Sequence, residues 1–280
     1  MEPLIMMPRN DWPKLQDLYR NYWPQGAEGY RLLDIQIQYP DMNRAFNFNV
    51  YCPDGNVNNG MVAISDKEHF YQLYIYPISE DTSAIENALI NSKVIDWNRN
   101  VCAPSVSTEA LVCLKRVAKS LMLQITENKV CKHLLNRDSK REDIADAPPN
   151  TYVAPLKPEH LDLIDRTWTF YTPDHSKQFF EVLTRNGLSY VLYSKLDHEP
   201  LAWIFIDEAG AFTHLYCLET HRRKGYAEYI TKIATYDLLK QGKDILAYTL
   251  QDNVRPQKLF NKLGFDFLGT VTWMFLNKKT

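Results

Sequence analysis

LYCLETHRRKGYAEYI, residues 215–230, is the stretch on which the reading of the whole chain turns. An apolar run suited to a strand gives way to a basic loop with one glycine, and the loop runs directly into a helical pattern. Such a junction is a prepared anion site. The first N–H groups of a helix have no carbonyl partners, and the helix dipole adds partial positive charge at that end. Arg222, Arg223 and Lys224 contribute three cations, while Gly225 has no Cβ and Ala227 only a small side chain. The expected ligand is a pyrophosphate. Neither GxxxxGK[ST] nor GxGxxG occurs, so this is not a P-loop or a dinucleotide fingerprint. A basic pentapeptide taken alone is more often a solvated turn. Its place between strand and helix, and a second element at 253–265, NVRPQKLFNKLGF, weigh against that reading here.

Working outward, three strands are expected at 188–194, 201–207 and 211–219, joined by the short connections LDHEP and EAG as an antiparallel meander. A helix follows at 225–240 with Ala227, Ile230, Ala234 and Leu238 in one stripe. A strand at 245–250, a helix at 256–263 stopped by Gly264, and a last strand at 265–276 complete the half. Ahead of the meander, the pattern predicts a strand at 152–156, a helix at 158–169 and another beginning at Asp174. In the first half, alternation predicts strands at 31–38, 46–51 and 70–78, with the turn cluster CPDGNVNNG at 52–60, and helices at 82–92 and 107–119. The charged, then Ala/Pro-rich stretch NRDSKREDIADAPPN, 136–150, reads as a linker or domain edge. The expected domains are 1–140 and 151–280, with 141–150 between them.

Composition narrows the classes of function. Hydrophobic residues make up 45% of 280 and charged ones 24%, a globular balance that excludes disorder. A net charge of −2 gives no global field for nucleic acid or an anionic membrane, so neither is an expected partner. No apolar run of about 18 residues occurs, and the amino terminus has neither a signal-type apolar region nor an Arg/Ser-rich transit pattern. A soluble intracellular protein, in the cytoplasm, is expected. Five scattered cysteines without a CxxC pair read as reduced thiols, and seven histidines without HExxH or a Cys/His cluster predict no metal.

With both motifs in view, the sequence resembles the GNAT superfamily of acyl-CoA-dependent N-acyltransferases. That superfamily's phosphate loop reads Gln/Arg, two residues, Gly, one residue, Gly/Ala, and Arg222, Gly225 and Ala227 fill it. Its downstream helix ends in leucine, tyrosine, lysine, leucine, glycine, phenylalanine. Leu259, Lys262, Leu263, Gly264 and Phe265 match, with Asn253 at the entrance and Phe260 at the tyrosine position. A narrower resemblance, to the glycine N-acyltransferase family, is carried by WTFYTPDHSKQFFE (168–181), PLAWIFIDEAG (200–210) and VIDWNRNV (94–101). It implies an α+β, tandem GNAT-like fold, a mixed central sheet flanked by helices, with a degenerate N-terminal half and a cofactor-binding C-terminal half. It also implies acyl-CoA or acetyl-CoA as co-substrate, glycine, another amino acid or a small amine as acceptor, and a mitochondrial location as an alternative.

By the same resemblance, two central parallel strands splay apart around the pantetheine arm. The strand at 213–218 would carry it, with Tyr216, Cys217 and Leu218 nearest, and 245–250 would be its neighbour. The expected cofactor-binding set is therefore Tyr216, Cys217, Leu218, Arg222, Arg223, Lys224, Gly225, Tyr226, Ala227, Asn253 and Phe260. The acceptor amine must lose a proton before it attacks, which calls for a general base. The family's proposed glutamate falls on Ala211, and Phe260 lacks the hydroxyl that would protonate the departing thiolate. Among Asp207, Glu208, His214 and Glu219, the base candidates retained are His214 and Glu208, although acids beside a turn are usually solvated and a strand histidine is often structural. Cys217, in an apolar strand, reads first as packing rather than nucleophile. Two further readings stay open: an acyl-CoA-binding protein without catalysis, and a protein-N-acetylating enzyme.

Overall fold

The computed structural model describes residues 1–67, 70–140, 144–168 and 176–278. They form two compact units, one of Met1–Cys131 with the chain from Gly269 onward, the other of Lys132–Leu268. The first unit opens with β1 (Leu4–Met6), α1 (Trp12–Asn21), α2 (Ala27–Gln38), α3 (Pro40–Ala45), β2 (Asn49–Pro53), β3 (Met61–Lys67) and β4 (Phe70–Tyr76). It continues through α4 (Ser83–Asn91), β5 (Val101–Val106) and α5 (Thr108–Ser120) into β6 (Leu123–Leu135). The second unit adds β7 (Thr151–Ala154), α6 (Leu161–Arg166), α7 (Lys177–Arg185), β8 (Ser189–Ser194), β9 (Pro200–Ile206) and β10 (Ala211–Cys217). It ends with α8 (Tyr226–Lys240), β11 (Ile245–Leu250), α9 (Val254–Lys262) and β12 (Asp266–Lys278), whose far end returns to the first unit.

Each unit has a mixed sheet. In the first the order is β1-β2-β3-β4-β5-β12, antiparallel except for β4 beside β5. In the second it is β6-β11-β10-β9-β8-β7, and here β10 runs parallel to β11. The meander β8-β9-β10 is antiparallel, as the short connections predicted. All seven residues of β9 are buried, which explains its unbroken apolar run. Helix α8 buries Ile230, Ala234 and Leu238, three of the four residues of its predicted stripe. Ser107 caps α5 by accepting from the Ala110 N–H at 3.3 Å.

Several expectations are corrected. Residues 31–38 are not a strand but the end of α2, a helix buried at Glu28, Gly29, Arg31, Leu32, Leu33, Ile35 and Gln36. Burial on nearly every side erased the amphipathic period, and the Ile-Gln-Ile-Gln alternation imitated a strand. The strand expected at 46–51 begins three residues later, while β1, β3, β5 and β6 were not foreseen. The compact units also divide differently from 1–140 and 151–280. Strand β6 runs through the division at 131/132, ahead of the compositional break, and β12 crosses back. Asp174, with residues 169–175 of the stretch 168–181, lies outside the described residues. Among the described residues no helix is long and apolar enough to cross a membrane.

Candidate active site

Strands β10 and β11 pair only at Ala211↔Leu246 and Phe212↔Ala247, though both continue for several residues. Beyond that point they part. The divergence coincides with a bulge between Thr213 and Tyr216, where β10 shifts register against β9 and His214 takes a left-handed backbone at φ +48. The edge of β10 turned toward β11 is thereby left without a strand partner and lines a cleft of about 1000 Å³ through Leu215, Tyr216 and Cys217. Tyr216 is held by stacking on the fully buried Trp203, ring centroids 5.0 Å apart.

The cleft's far end is the loop into α8. Arg223 and Gly225 both have left-handed backbones, at φ +64 and +79, on either side of Lys224. Left-handed residues of this kind are the backbone from which anion-holding nests are built. Among the described residues the N–H groups of Arg223, Gly225, Tyr226 and Ala227 find no backbone acceptor, as expected for a helix start. A Cβ placed on Gly225 would meet no protein atom within 4 Å, so the glycine answers a conformational demand and leaves the space before it open. Arg222 donates through Nε to the Cys217 carbonyl at 3.2 Å and pairs with Glu219 at 2.9 Å. Opposite stand Asn253, Arg255, Pro256 and Leu259 of α9 and the turn before it. Glu228, in the first turn of α8, bonds Lys262 of α9 at 2.7 Å, which ties the two walls together and holds its carboxyl below the usual range.

Of the expected set, Tyr216, Cys217, Arg222, Arg223, Gly225, Tyr226, Ala227 and Asn253 come together around this cleft. Leu218, Lys224 and Phe260 do not line it. Phe260 is 3% exposed and packs on His133, Phe212 and Phe265, because a helix turns by about 100° per residue and it is Leu259 that faces the cleft. Leu215, Glu219, Glu228, Arg255, Pro256 and Leu259 were absent from the expected set. Leu259 had been noted in the helix motif, whereas nothing local in the sequence singles out Arg255. Cys217 is half-buried, and burial pushes its thiol up against the opposing pull of Arg222 and Lys224.

Neither base candidate lines the cleft. Glu208 is 2% exposed at the turn before β10, where Asp207 accepts from the N–H groups of Ala209 and Ala211, each at 2.9 Å. His214 donates from Nε2 to the Ile164 carbonyl at 2.8 Å, so that nitrogen carries the proton. Trp168, Phe180, Trp203, Phe205 and Tyr216 crowd the imidazole, and burial pushes its pKa down to about 4. It ties the bulge to the end of α6.

The equivalent junction in the first unit differs. Strands β4 and β5 also pair only at Tyr71↔Val101 and Gln72↔Cys102, but beyond them the hydroxyls of Tyr76 and Ser105 meet at 2.9 Å. Tyr19 donates to the Tyr76 carbonyl at 2.5 Å and accepts from the Met61 N–H at 3.0 Å. The following loop carries Glu80 and Asp81 where the second unit has Arg222, Arg223 and Lys224.

Comparison with known proteins bears on the fold. Residues 185–274 match the family model described as FR47-like protein. No curated protein matches the chain. Among solved structures, a Drosophila protein is similar over 100% of both chains, with 16% identity and a TM-score of 0.88. A tandem GNAT protein from the clavulanic acid biosynthesis pathway covers 99% of this chain and 99% of its own, with 12% identity and a TM-score of 0.55. A GCN5-related N-acetyltransferase from Sphaerobacter thermophilus covers 98% and 94%, with 10% identity and a TM-score of 0.55. The class these define is the tandem GNAT fold, with a mixed sheet and flanking helices in each unit.

Proposed function

We propose that the second unit binds an acyl-CoA and transfers the acyl group to the amine of glycine, another amino acid or a small amine. The observation that supports this most is the continuity of the cleft. The β10 edge at Leu215, Tyr216 and Cys217, which has no partner on the β11 side, leads to the loop at Arg223 to Ala227, whose N–H groups lack backbone acceptors. A pantetheine arm needs backbone donors and acceptors along its amides, and a diphosphate needs convergent N–H groups and cations. The residues present fit both. The open space at Gly225 is what close approach of a phosphate oxygen requires.

When bound, the thioester supplies an acyl carbonyl that a neutral amine attacks directly. The chain's own part is to align the thioester along β10 and to leave a path for two protons. An imidazole pushed down to about 4 is too weak to hold the amine's proton at neutral pH, and Nε2 of His214 is already committed to Ile164. His214 is therefore not the base. Phe260, buried and without a hydroxyl, does not supply the thiolate's proton.

The absence of His214 and Glu208 from the cleft lining favours a second reading, an acyl-CoA-binding protein that does not catalyse transfer. Calorimetry with CoA, together with thiol release from short and long acyl-CoAs across a panel of amino acids, separates them. Amine-dependent thiol release supports the transferase. CoA binding without release leaves the binding protein, and failure to bind CoA overturns both.

A further inference from the structure

We infer that Arg255 recognises the 3′-phosphate of CoA, apart from the groups that hold the diphosphate, and so selects CoA over its dephospho form. This rests on the acyl-CoA reading of the same cleft.

Five charged side chains line the cleft: Glu219, Arg222, Arg223, Glu228 and Arg255. Three are already neutralised. Glu219 pairs with Arg222 at 2.9 Å, and Glu228 with Lys262 at 2.7 Å and Lys232 at 3.5 Å. Arg223 and Arg255 remain, exposed and without an ion pair or hydrogen-bond partner among the described residues. They come from different elements, Arg223 from the loop before α8 and Arg255 from the first turn of α9. The loop already meets a diphosphate with its free N–H groups and Arg223, so it has no need of a guanidinium from across the cleft. A ligand with one anionic centre would use one wall. CoA has two, the diphosphate and the ribose 3′-phosphate, and two unneutralised cations on separate elements of the cleft complement that pair of charges. A guanidinium also suits a phosphate monoester, whose oxygens it engages in a fork.

The test is calorimetry on the full chain with CoA and with dephospho-CoA, which carries a hydroxyl at the 3′ position. The wild type is expected to prefer CoA by about tenfold, the low end for an exposed charge-assisted contact. Arg255→Ala should lower CoA affinity to the dephospho-CoA level and leave dephospho-CoA unaffected. Arg255→Lys should keep part of the preference, and Arg223→Ala should weaken both ligands by one common factor. Loss of both ligands equally in Arg255→Ala would assign that arginine to the diphosphate and overturn the inference. So would an absent preference in the wild type, or a preference abolished by Arg223→Ala instead. A wild type that binds neither ligand would refute the acyl-CoA reading itself, a different failure from these.

Discussion

Replacing Gly225 tests the loop most directly, because its two contributions can be separated. The residue has φ +79 and no protein atom within 4 Å of a Cβ position. An added methyl group therefore meets no clash in the free protein, and the cost of Gly225→Ala is the conformational one alone. Holding an L-residue in the left-handed region costs roughly 1–2 kcal/mol. A domain of this size should then melt roughly 2–8 °C lower. Gly225→Asn should recover part of that loss, since Asn tolerates the left-handed region best after glycine. Binding responds differently. Any Cβ occupies the open space before the loop, so Ala and Asn should both weaken CoA even where Asn restores stability, and Val should weaken it further. Thermal denaturation and calorimetry on the same preparations read the two effects. An alanine variant that keeps both its melting temperature and its CoA affinity would refute the reasoning. If Asn restored affinity in step with stability, the glycine would be a turn residue and nothing more.

Arg222→Glu should set like charge against the diphosphate and break the bond to the Cys217 carbonyl, weakening CoA by about 1–3 kcal/mol in calorimetry. His214 has its pKa pushed down to about 4 from 6.5, so the unfolded chain binds more protons between those values. Its contribution to stability is complete above pH 6.5 and falls as pH drops toward 4, by at most about 3 kcal/mol, and urea titrations of wild type and His214→Asn at pH 7.5, 5.5 and 4.5 should show that decline in the wild type alone. Phe260→Tyr places a hydroxyl among Phe212, Phe265 and His133, so it should lower stability by about 1–3 kcal/mol without raising turnover. A faster variant in a thiol-release assay would show that the position reaches the thioester after all.

The second half of the chain was legible because its signals are local. Gly225, Gly242 and Gly264 mark helix boundaries by conformations that few other residues adopt, and β8, β9 and β10 are joined by turns too short for any pairing but an antiparallel one. The first half hid its elements for two different reasons. Helix α2 buries polar Glu28, Arg31 and Gln36 beside Leu32, Leu33 and Ile35, so it presents no polar face to reveal its period. Strand β6 carries an exposed stretch, Thr126 to Lys129, before its buried end from Val130 to Leu135, and the charges masked the strand. Within the site, the loop could be read because each requirement falls on consecutive residues. The opposite wall could not be read in this way, since which face of α9 looks into the cleft depends on how far β11 leans from β10. One helical step separates Leu259, in the cleft, from Phe260, in the core.

The two units meet one problem in opposite ways. Strands that part after two paired residues leave N–H and C=O groups without ladder partners, and buried groups of that kind cost about 1–3 kcal/mol each unless something else bonds them. The first unit supplies its own partners. Tyr76 and Ser105 join hydroxyls across the gap, which closes it with side chains, and the Tyr19 hydroxyl donates to the Tyr76 carbonyl. Such a gap needs no ligand, and the acidic Glu80 and Asp81 that follow would repel a phosphate. In the second unit β10 beyond Phe212 has no comparable side-chain bridge to β11 among the described bonds, and its loop adds more donors without backbone acceptors. Groups of that kind suit water or, on the proposed reading, a ligand with alternating amides and a charged end. On the acyl-CoA reading proposed above, the strand separation would select such a ligand, and Arg223 and Arg255 would set how strongly its charged groups are held.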